Sequence, residues 1–253
     1  MHPARGRVCG FARGLSVRTV LVAGAAGGIG EGVVRALLAA GDVAVFATSR
    51  SAGRLEALRR GLEPGAAARF TPIVGAAGDF AGAVRIAETA AGLGGVDAVV
   101  AILGRGWWSS GPLLDIAPEE WTSVLDEMLT GHLAFARALI PQLSTRAGSL
   151  YLSLGGGAAF EPLRDAGVMS IAAAGQVMLT RTLDREIGPG PPRIRELVID
   201  GPVSTSESRH FADPRWITAD DVGQVVADLV LRGATSWQPA REEGPLLVIG
   251  QRR

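Results

Sequence analysis

The alternation of short apolar runs with longer segments of helical period is the strongest constraint on the fold of this 253-residue chain. Seven short runs are typical of buried strands: 17–24, 43–49, 69–74, 97–104, 149–154, 193–200 and 246–250. Helical spacing occupies the segments 31–41, 79–93, 118–143, 166–187 and 217–233. Apolar strands that alternate with helices predict a parallel sheet with helices on both faces. We therefore expect a single-domain, doubly wound α/β fold with a seven-stranded parallel sheet.

Composition narrows the class of protein. Residues 1–16 are aperiodic and predict a flexible tail, whereas 17–253 form the expected domain. The 25 acidic residues balance the 25 basic residues, so no net charge favours a nucleic-acid partner. Cys9 is the one cysteine, which excludes a disulfide framework, and the scattered histidines predict no metal site. No apolar run reaches the ~20 residues of a membrane span, so a cytoplasmic protein without a membrane partner is expected.

A glycine-rich turn follows the first predicted strand and precedes a helix. Gly24, Gly28, Ile29 and Gly30 lie in this turn. Glycines there allow a tight turn and let the backbone approach a pyrophosphate, which the helix N-terminus then attracts. The strand–turn–helix context predicts a dinucleotide site; the alternative is a glycine-rich turn that binds nothing.

The end of the second predicted strand indicates which dinucleotide is bound. An acidic residue that would hold a ribose hydroxyl is absent there, and Ser49 and Arg50 occupy the place. Because arginine matches a phosphate in bidentate fashion, NADP(H) is favoured over NAD(H). The alternative is that Arg50 is one more solvated surface residue.

The chain resembles the short-chain dehydrogenase/reductase family in its glycine turn and in four further segments. These segments are AILG (ending at Gly104), EEWTSVLDEMLTG, RTLDREIGP and DGPVST. The resemblance implies a Rossmann-type fold, an oxidoreductase activity and a homodimer or homotetramer formed through the two long helices. It also implies that segment 205–216 is a substrate lid. The implied cofactor contacts include Gly104, Gly201, Val203 and Thr205.

The family's catalytic Asn-Ser-Tyr-Lys tetrad has no counterpart in this chain. The four places fall on Met128, Gly155 (or its neighbour Leu154), Met169 and Ala173. The chain contains no lysine, and its single tyrosine, Tyr151, lies in a predicted strand. Reduction of a ketone requires a proton donor near the forming alkoxide, which methionine and alanine cannot supply. The sequence therefore predicts an apolar pocket where the family has a polar one.

Other polar groups are candidates for a substrate pocket. Arg105, Trp107, Trp108 and Ser109 follow the fourth strand, where they would face a small apolar or aromatic molecule, or pack against the protein surface. His132 follows Met128 by one helical turn and is either a substitute acid or a packed histidine. We expect Tyr151 in the core with its hydroxyl hydrogen-bonded.

Two further sequence features concern the adenine site and the assembly of the protein. The family's adenine-contacting aspartate is replaced by Gly75, and Asp79 is expected to cap the next helix. Apolar stripes on the two long helices favour an oligomer; their residues are Val124, Met128, Leu133, Phe135, Val168, Ile171, Met178 and Leu179.

Three functions are compatible with these observations. The first is an NADP(H)-binding oxidoreductase with a divergent active site. The second is an inactive relative that serves as cofactor sensor, scaffold or partner subunit. The third is a non-redox cyclase or isomerase that uses an apolar pocket.

Overall fold

A computed structural model describes residues 17–104, 106, 109–237 and 239–250, and these contain ten strands. The predicted tail, 1–16, lies outside the described residues. In chain order the strands are β1 (Arg18–Ala23), β2 (Val43–Ser49), β3 (Phe70–Val74), β4 (Ala98–Ala101), β5 (Leu150–Gly156), β6 (Arg193–Asp200), β7 (Val203–Ser204), β8 (Ile217–Thr218), β9 (Arg241–Glu243) and β10 (Leu246–Gly250). The main sheet has the order β3-β2-β1-β4-β5-β6-β10-β9, and β7 pairs with β8.

The expected α/β class is confirmed, with one difference in the sheet. All seven predicted strands are present and pair in parallel. An eighth strand, β9, runs antiparallel to β10 at the edge. Its three residues are charged and exposed, so they lack the apolar alternation by which a strand is detected.

The helices are α1 (Gly28–Ala39), α2 (Ala52–Arg60), α3 (Pro64–Ala67), α4 (Phe80–Gly92), α5 (Pro118–Leu125), α6 (Gly131–Leu143), α7 (Gly167–Ile187) and α8 (Ala219–Arg232). The predicted continuous helix 118–143 is wrong in one respect, because a π-helical segment, Asp126–Thr130, separates α5 from α6. Such wide turns are uncommon and occur often at functional sites. Here the segment contains Met128.

Local capping follows the sequence signals. Asp79 accepts a hydrogen bond from the backbone N–H of Gly82 (2.7 Å), as expected for the cap of α4. Thr218 and Asp221 form a reciprocal capping box at the start of α8. Pro118 opens α5, where its missing N–H costs no helical hydrogen bond.

Two apolar layers cover the sheet. One packs α1 and α8 against side chains such as Val22 and Leu197, and the other packs α4 and α6 against side chains such as Leu21 and Val99. The stripe residues divide between core and surface. Val124, Phe135 and Val168 are buried in this chain's own core; Leu133, Ile171 and Met178 are exposed. The homo-oligomer stays a prediction.

Candidate active site

The candidate site lies at the carboxyl ends of the parallel strands. The chain builds the sheet outward from β1 in one direction to β3 and then crosses back to place β4 on the other side of β1. A crevice forms at such a switch point, where ligands of doubly wound sheets bind. The predicted cofactor residues follow the ends of β1, β2, β4 and β6, so the fold brings them to this edge.

The turn after β1 is built so that only glycine fits. Gly24 has φ +73°, and a Cβ there would lie 2.1 Å from the carbonyl oxygen of Ile102. A Cβ on Gly30 would lie 2.1 Å from the carbonyl oxygen of Gly24. Among the residues that the structure describes, no side chain caps α1 at Gly27, so the N–H groups of its first turn remain for an anion.

The segment after β6 closes over this turn. A Cβ on Gly28 would lie 2.7 Å from Cβ of Thr205, so the two residues meet face to face. The Thr205 N–H donates to Oγ of Ser208 (2.9 Å), which fixes the loop. Gly201 has φ +134°, and Val203 pairs with Ile217 beside it. The sequence-predicted residues Gly28, Val203 and Thr205 therefore lie in one cradle.

The end of β2 presents polar groups next to the cradle. The hydroxyl of Ser49 accepts from the N–H of Ser51 (3.3 Å), and Arg50 is exposed. Within the described part of the chain Arg50 makes no ion pair, whereas Arg54 donates to Glu207 (3.2 Å). Arg50 thus has its guanidinium available for a phosphate.

The end of β4 forms the wall that faces the helices. Gly104 has φ +120°, and a Cβ there would lie 3.3 Å from Cγ of Met128, so the π-helical segment packs against this strand end. Ser109 donates to the carbonyl oxygen of Asp165 (3.3 Å), which ties the following loop to the start of α7. Arg105, Trp107 and Trp108 lie outside the described residues.

The residues that the sequence analysis assigned to the tetrad positions have side chains without an ionisable proton. Met169 and Ala173 are 7% and 6% exposed and lie one turn apart on α7. Gly155 lies near the end of β5, and the carbonyl oxygen of its neighbour Leu154 accepts from Nε2 of Gln176 (3.0 Å). None of these groups can protonate an alkoxide.

A carboxyl group that sequence reasoning missed lies directly beneath Gly155. A Cβ on Gly155 would lie 2.4 Å from Oε1 of Glu196, which projects from β6. Glu196 is 0% exposed, and among the described residues neither of its oxygens has a hydrogen-bond partner. Burial raises the pKa of this carboxyl to about 7. An acidic residue inside the apolar strand RIRELVID was the signal that could have revealed it.

Two hydrogen-bonding side chains and one cation near Glu196 oppose this shift. The Thr180 hydroxyl, then the Arg181 guanidinium, then the Gln176 amide lower the Glu196 pKa. The Thr180 hydroxyl pairs with the Ser153 hydroxyl (3.3 Å), and the Gln176 amide is used by Leu154. Burial is therefore the dominant influence on Glu196.

A small cavity of about 10 Å³ lies in the same layer, lined by His132 and Tyr151 among others. Nε2 of His132 lies 3.2 Å from the Leu103 carbonyl oxygen and must donate to it, so Nδ1 is the acceptor; Nδ1 has no partner in the described residues. Burial lowers the His132 pKa to about 4, against the raising effect of the Leu103 hydrogen bond, so the ring is neutral. His132 is therefore an interior residue and does not line an open pocket.

The expectation for Tyr151 is half right. Tyr151 is 3% exposed in the core, but its hydroxyl has no hydrogen-bond partner among the described residues, contrary to the prediction. Burial, followed by the charge of Glu196, raises the Tyr151 pKa above its ordinary value. The buried layer that contains Tyr151, Ser153 and Glu196 is consequently more polar than the apolar strand pattern suggested.

Helical membrane spans and clustered metal ligands are both absent from the described ranges. No helix there has both the length and the apolar character that a bilayer crossing requires. In the same ranges, no three His, Cys, Asp or Glu side chains converge where they could hold a metal ion.

The comparisons with known proteins agree with this architecture. A family model described as short chain dehydrogenase matches residues 18–211. The chain is similar to a D-xylose 1-dehydrogenase of Caulobacter vibrioides, with 26% identity over 219 residues that cover 87% of this chain and 83% of that protein. It is also similar to dehydrogenase/reductase SDR family member 4 of Bos taurus, at 27% identity over 204 residues, covering 79% and 72%.

Solved structures share the fold at lower identity. An alcohol dehydrogenase from Thermococcus sibiricus, complexed with 5-hydroxy-NADP, superposes with a TM-score of 0.76 at 21% identity, covering 92% of this chain and 95% of that one. An NADPH-bound short chain oxidoreductase from Pseudomonas aeruginosa PAO1, described as containing an atypical catalytic center, gives 0.78 at 22%, covering 93% and 96%.

Proposed function

The chain belongs to the short-chain dehydrogenase/reductase family, and we propose that it is an NADP(H)-dependent oxidoreductase whose active site lacks the family's tetrad. The observation that supports cofactor binding is the cradle at the end of β1. Gly24 and Gly30 leave no room for a side chain, and Thr205 lies across Gly28 from the start of α1. A pyrophosphate is the ligand that suits such a backbone surface.

The residues present fit a nicotinamide dinucleotide along the whole strand edge. Gly28, Ile29 and Gly30 would hold the pyrophosphate with backbone N–H groups, and Thr205 would add a hydroxyl. Gly104 would leave the backbone after β4 uncovered by a side chain of its own toward a ribose, and its lack of a Cβ also makes room for Met128. When bound, the cofactor supplies or accepts a hydride; the chain's part is to orient it and to manage the proton.

The preference for the 2′-phosphorylated cofactor rests on Arg50. Its exposed position after β2, with no ion pair among the described residues, leaves it free to bind a phosphate. Two structural neighbours are described as complexes with 5-hydroxy-NADP and with NADPH, which agrees with this choice.

The substrate that suits this site is a small apolar or aromatic carbonyl compound or alcohol. The segment after Thr205, which corresponds to the family's lid, carries an edge-to-face pair of Phe211 and Trp216 with ring centroids 6.1 Å apart. Phe211 is exposed, as is Leu114 on the loop opposite the start of α7. Apolar side chains around a crevice favour an apolar ligand over a sugar.

Titration of the purified protein with NADPH and NADH tests this proposal. We expect tighter binding of NADPH, and Arg50→Ala should weaken NADPH about 10-fold to 100-fold while leaving NADH unchanged, because one charge-assisted phosphate contact is lost. Arg60→Ala, at an exposed arginine on α2, is the matched control and should change neither. Binding of neither dinucleotide would refute the function, and tighter binding of NADH would refute the preference.

A further inference from the structure

We infer that Arg54 is a second residue that selects the 2′-phosphorylated cofactor, and that Glu207 of the lid segment, 205–216, holds its guanidinium until the phosphate displaces the carboxylate. The Arg54–Glu207 ion pair is then a latch that NADP(H) opens and NAD(H) leaves closed. This inference rests on the proposed function, because it describes how the adenosine end of the same site distinguishes the two dinucleotides.

The latch joins two segments that come from opposite sides of β1. In the main sheet β2 lies on one side of β1, and β6 lies on the other side beyond β4 and β5. Arg54 is in the first turn of α2, which follows β2, and Glu207 is in the segment after β6. Nη2 of Arg54 lies 3.2 Å from Oε1 of Glu207. The pair therefore bridges the strand edge across the end of β1, where the glycine turn lies.

Glu207 is fixed to the cradle through Thr205. The N–H of Glu207 donates to Oγ1 of Thr205 (3.3 Å), and a Cβ on Gly28 would lie 2.7 Å from Cβ of Thr205. Contact with Glu207 thus shows that the Arg54 guanidinium points from α2 toward the glycine turn. Doubly wound folds hold the pyrophosphate at that turn and the adenosine ribose at the end of the second strand. A 2′-phosphate on this ribose would meet a guanidinium that already points toward the cradle.

The charges at the start of α2 favour a bound anion. Helix N-termini attract negative charge, yet the first turn of α2 contains no acidic residue and does contain Arg54. Arg50 precedes this turn and adds a second exposed cation. Guanidinium groups bind phosphate in bidentate fashion, and a phosphate carries more negative charge than the Glu207 carboxylate. The phosphate is therefore the stronger partner for Arg54.

The latch is weak enough to be exchanged. The side chains of Arg54 and Glu207 are 55% and 74% exposed, and ion pairs that are so exposed contribute little stability. A separate contact, from Oγ of Ser206 to Oε2 of Glu31 on α1 (3.2 Å), does not involve Arg54. Loss of the latch consequently loosens the lid segment at α2 while α1 still holds its beginning.

The first experiment measures dissociation constants of NADPH and NADH by fluorescence titration at low ionic strength, where exposed charges act most strongly. Arg54→Ala should weaken NADPH about 5-fold to 20-fold, because a charge-assisted phosphate contact is lost. Glu207→Gln should tighten NADPH about threefold to fivefold, because the phosphate no longer competes with a carboxylate. Both variants should leave NADH within about twofold. An unchanged ratio of the two affinities in both variants would overturn the inference.

Two matched controls exclude general effects of charge. Asp220 pairs with Arg35 (2.6 Å) in an equally exposed contact between α8 and α1, which does not bridge the end of β1. Asp220→Asn removes one negative charge as Glu207→Gln does, and Arg60→Ala removes one positive charge from α2 as Arg54→Ala does. Both controls should bind the two dinucleotides as the wild type does.

A double variant separates exchange from simple repulsion between Glu207 and the phosphate. If Glu207 acts by holding Arg54, its removal has no effect once Arg54 is absent. Glu207→Gln in the Arg54→Ala background should therefore change the NADPH dissociation constant by less than about 1.5-fold. A gain of threefold to fivefold that persists without Arg54 would indicate repulsion alone and would overturn the exchange.

The second experiment measures whether the lid segment is released. Arg209 is an exposed trypsin site in this segment. With each dinucleotide at saturation, cleavage after Arg209, identified by mass, should be about threefold faster in the NADPH complex than in the NADH complex, because only NADPH opens the latch. Arg54→Ala, which has no latch, should show equal rates in the two complexes. Equal rates in the wild type would contradict the latch.

Failure of this inference and failure of the proposed function give different results. If neither dinucleotide binds the wild type, the proposed function fails and the latch has no ligand. If both bind but Arg54→Ala and Glu207→Gln change neither their affinity ratio nor the cleavage of the lid segment, only the latch is overturned. Opposite shifts of NADPH affinity in the two variants support both proposals.

Discussion

The two halves of the candidate crevice are built from different parts of the chain. At the end of β1, the cradle consists of backbone and glycines, and every residue type that the turn requires is present. Near the end of β5 and in the first turns of α7, the positions that the sequence resemblance assigns to the tetrad hold Gly155, Met169 and Ala173, and the buried carboxyl of Glu196 lies against Gly155. The difference teaches that backbone geometry restricts the residue type at each position of a turn, whereas a region made of side chains can change its composition while the fold is kept.

The largest effect is expected from a substitution in the glycine turn, which is the backbone half of the crevice. Gly30→Ala would place a Cβ 2.1 Å from the carbonyl oxygen of Gly24, so the turn or α1 must move. We expect a loss of about 3 to 4 kcal/mol in the free energy of unfolding, together with loss of NADPH binding. Urea unfolding and a thermal shift with NADPH measure the two effects.

The control for this change is another helical glycine. Gly53 lies on the exposed side of α2, and a Cβ there would meet only the Ser51 hydroxyl oxygen, at 4.0 Å. Gly53→Ala should stabilise the protein by up to about 1 kcal/mol, because alanine favours the helix. Equal behaviour of the two variants would show that the cradle tolerates side chains.

A second effect of similar size is the pH dependence of the free energy of unfolding, which Glu196 and His132 control. The native pKa of Glu196, about 7, exceeds its ordinary 4.5, so its stabilising contribution is complete below pH 4.5 and is lost as pH rises through 7. The native pKa of His132, about 4, lies below its ordinary 6.5, so its contribution is complete above pH 6.5 and is lost as pH falls through 4. In the wild type these opposite slopes largely cancel between pH 4.5 and 6.5.

Glu196→Gln removes the pH dependence of stability that Glu196 causes and leaves the pH dependence that His132 causes. Relative to the wild type, the variant should gain about 3 kcal/mol of unfolding free energy between pH 4.5 and about pH 8. Its own stability should then fall as the solution is acidified below pH 6.5, because His132 gains a proton on unfolding. Parallel stability curves for the two proteins in urea would contradict a raised pKa of Glu196.

The smallest effect measures the coupling between Gly155 and Glu196. Gly155→Ala should cost about 1 to 3 kcal/mol, since the buried carboxyl must be displaced. In the Glu196→Ala background that cost should shrink, giving a coupling energy of about 1 to 2 kcal/mol in a double-mutant cycle. Gly156→Ala is the control, because a Cβ there meets nothing within 4 Å. If the costs of the two substitutions simply add, Gly155 and Glu196 are not energetically coupled.

Sequence reasoning succeeded where local patterns determine structure. The apolar period predicted seven strands and most of the helices, and the cap at Asp79 and the capping box at Thr218 follow from neighbours three residues apart. The glycine turn was predictable for the same reason, since its geometry depends on consecutive residues.

The features that were missed depend on contacts between distant segments. Gly155 and Glu196 are 41 positions apart, and only the pairing of β5 with β6 brings them together. The Tyr151 hydroxyl has no hydrogen-bond partner among the described residues, and its surroundings are likewise set by distant segments, α6 and α7. The π-helical segment at Met128 resembles continuous helix in its periodicity, so the sequence contains no signal for its wider turn.

Both borders of the main sheet resist extension by another molecule. At one border, Pro72 is exposed on β3 and has no N–H to offer to an incoming strand. At the other, β9 is three residues long and wholly charged, and its Glu242 and Glu243 are held by Arg195 and Arg181. Intermolecular strand addition, the usual first step toward fibrils, is therefore disfavoured at each side even when the protein is concentrated.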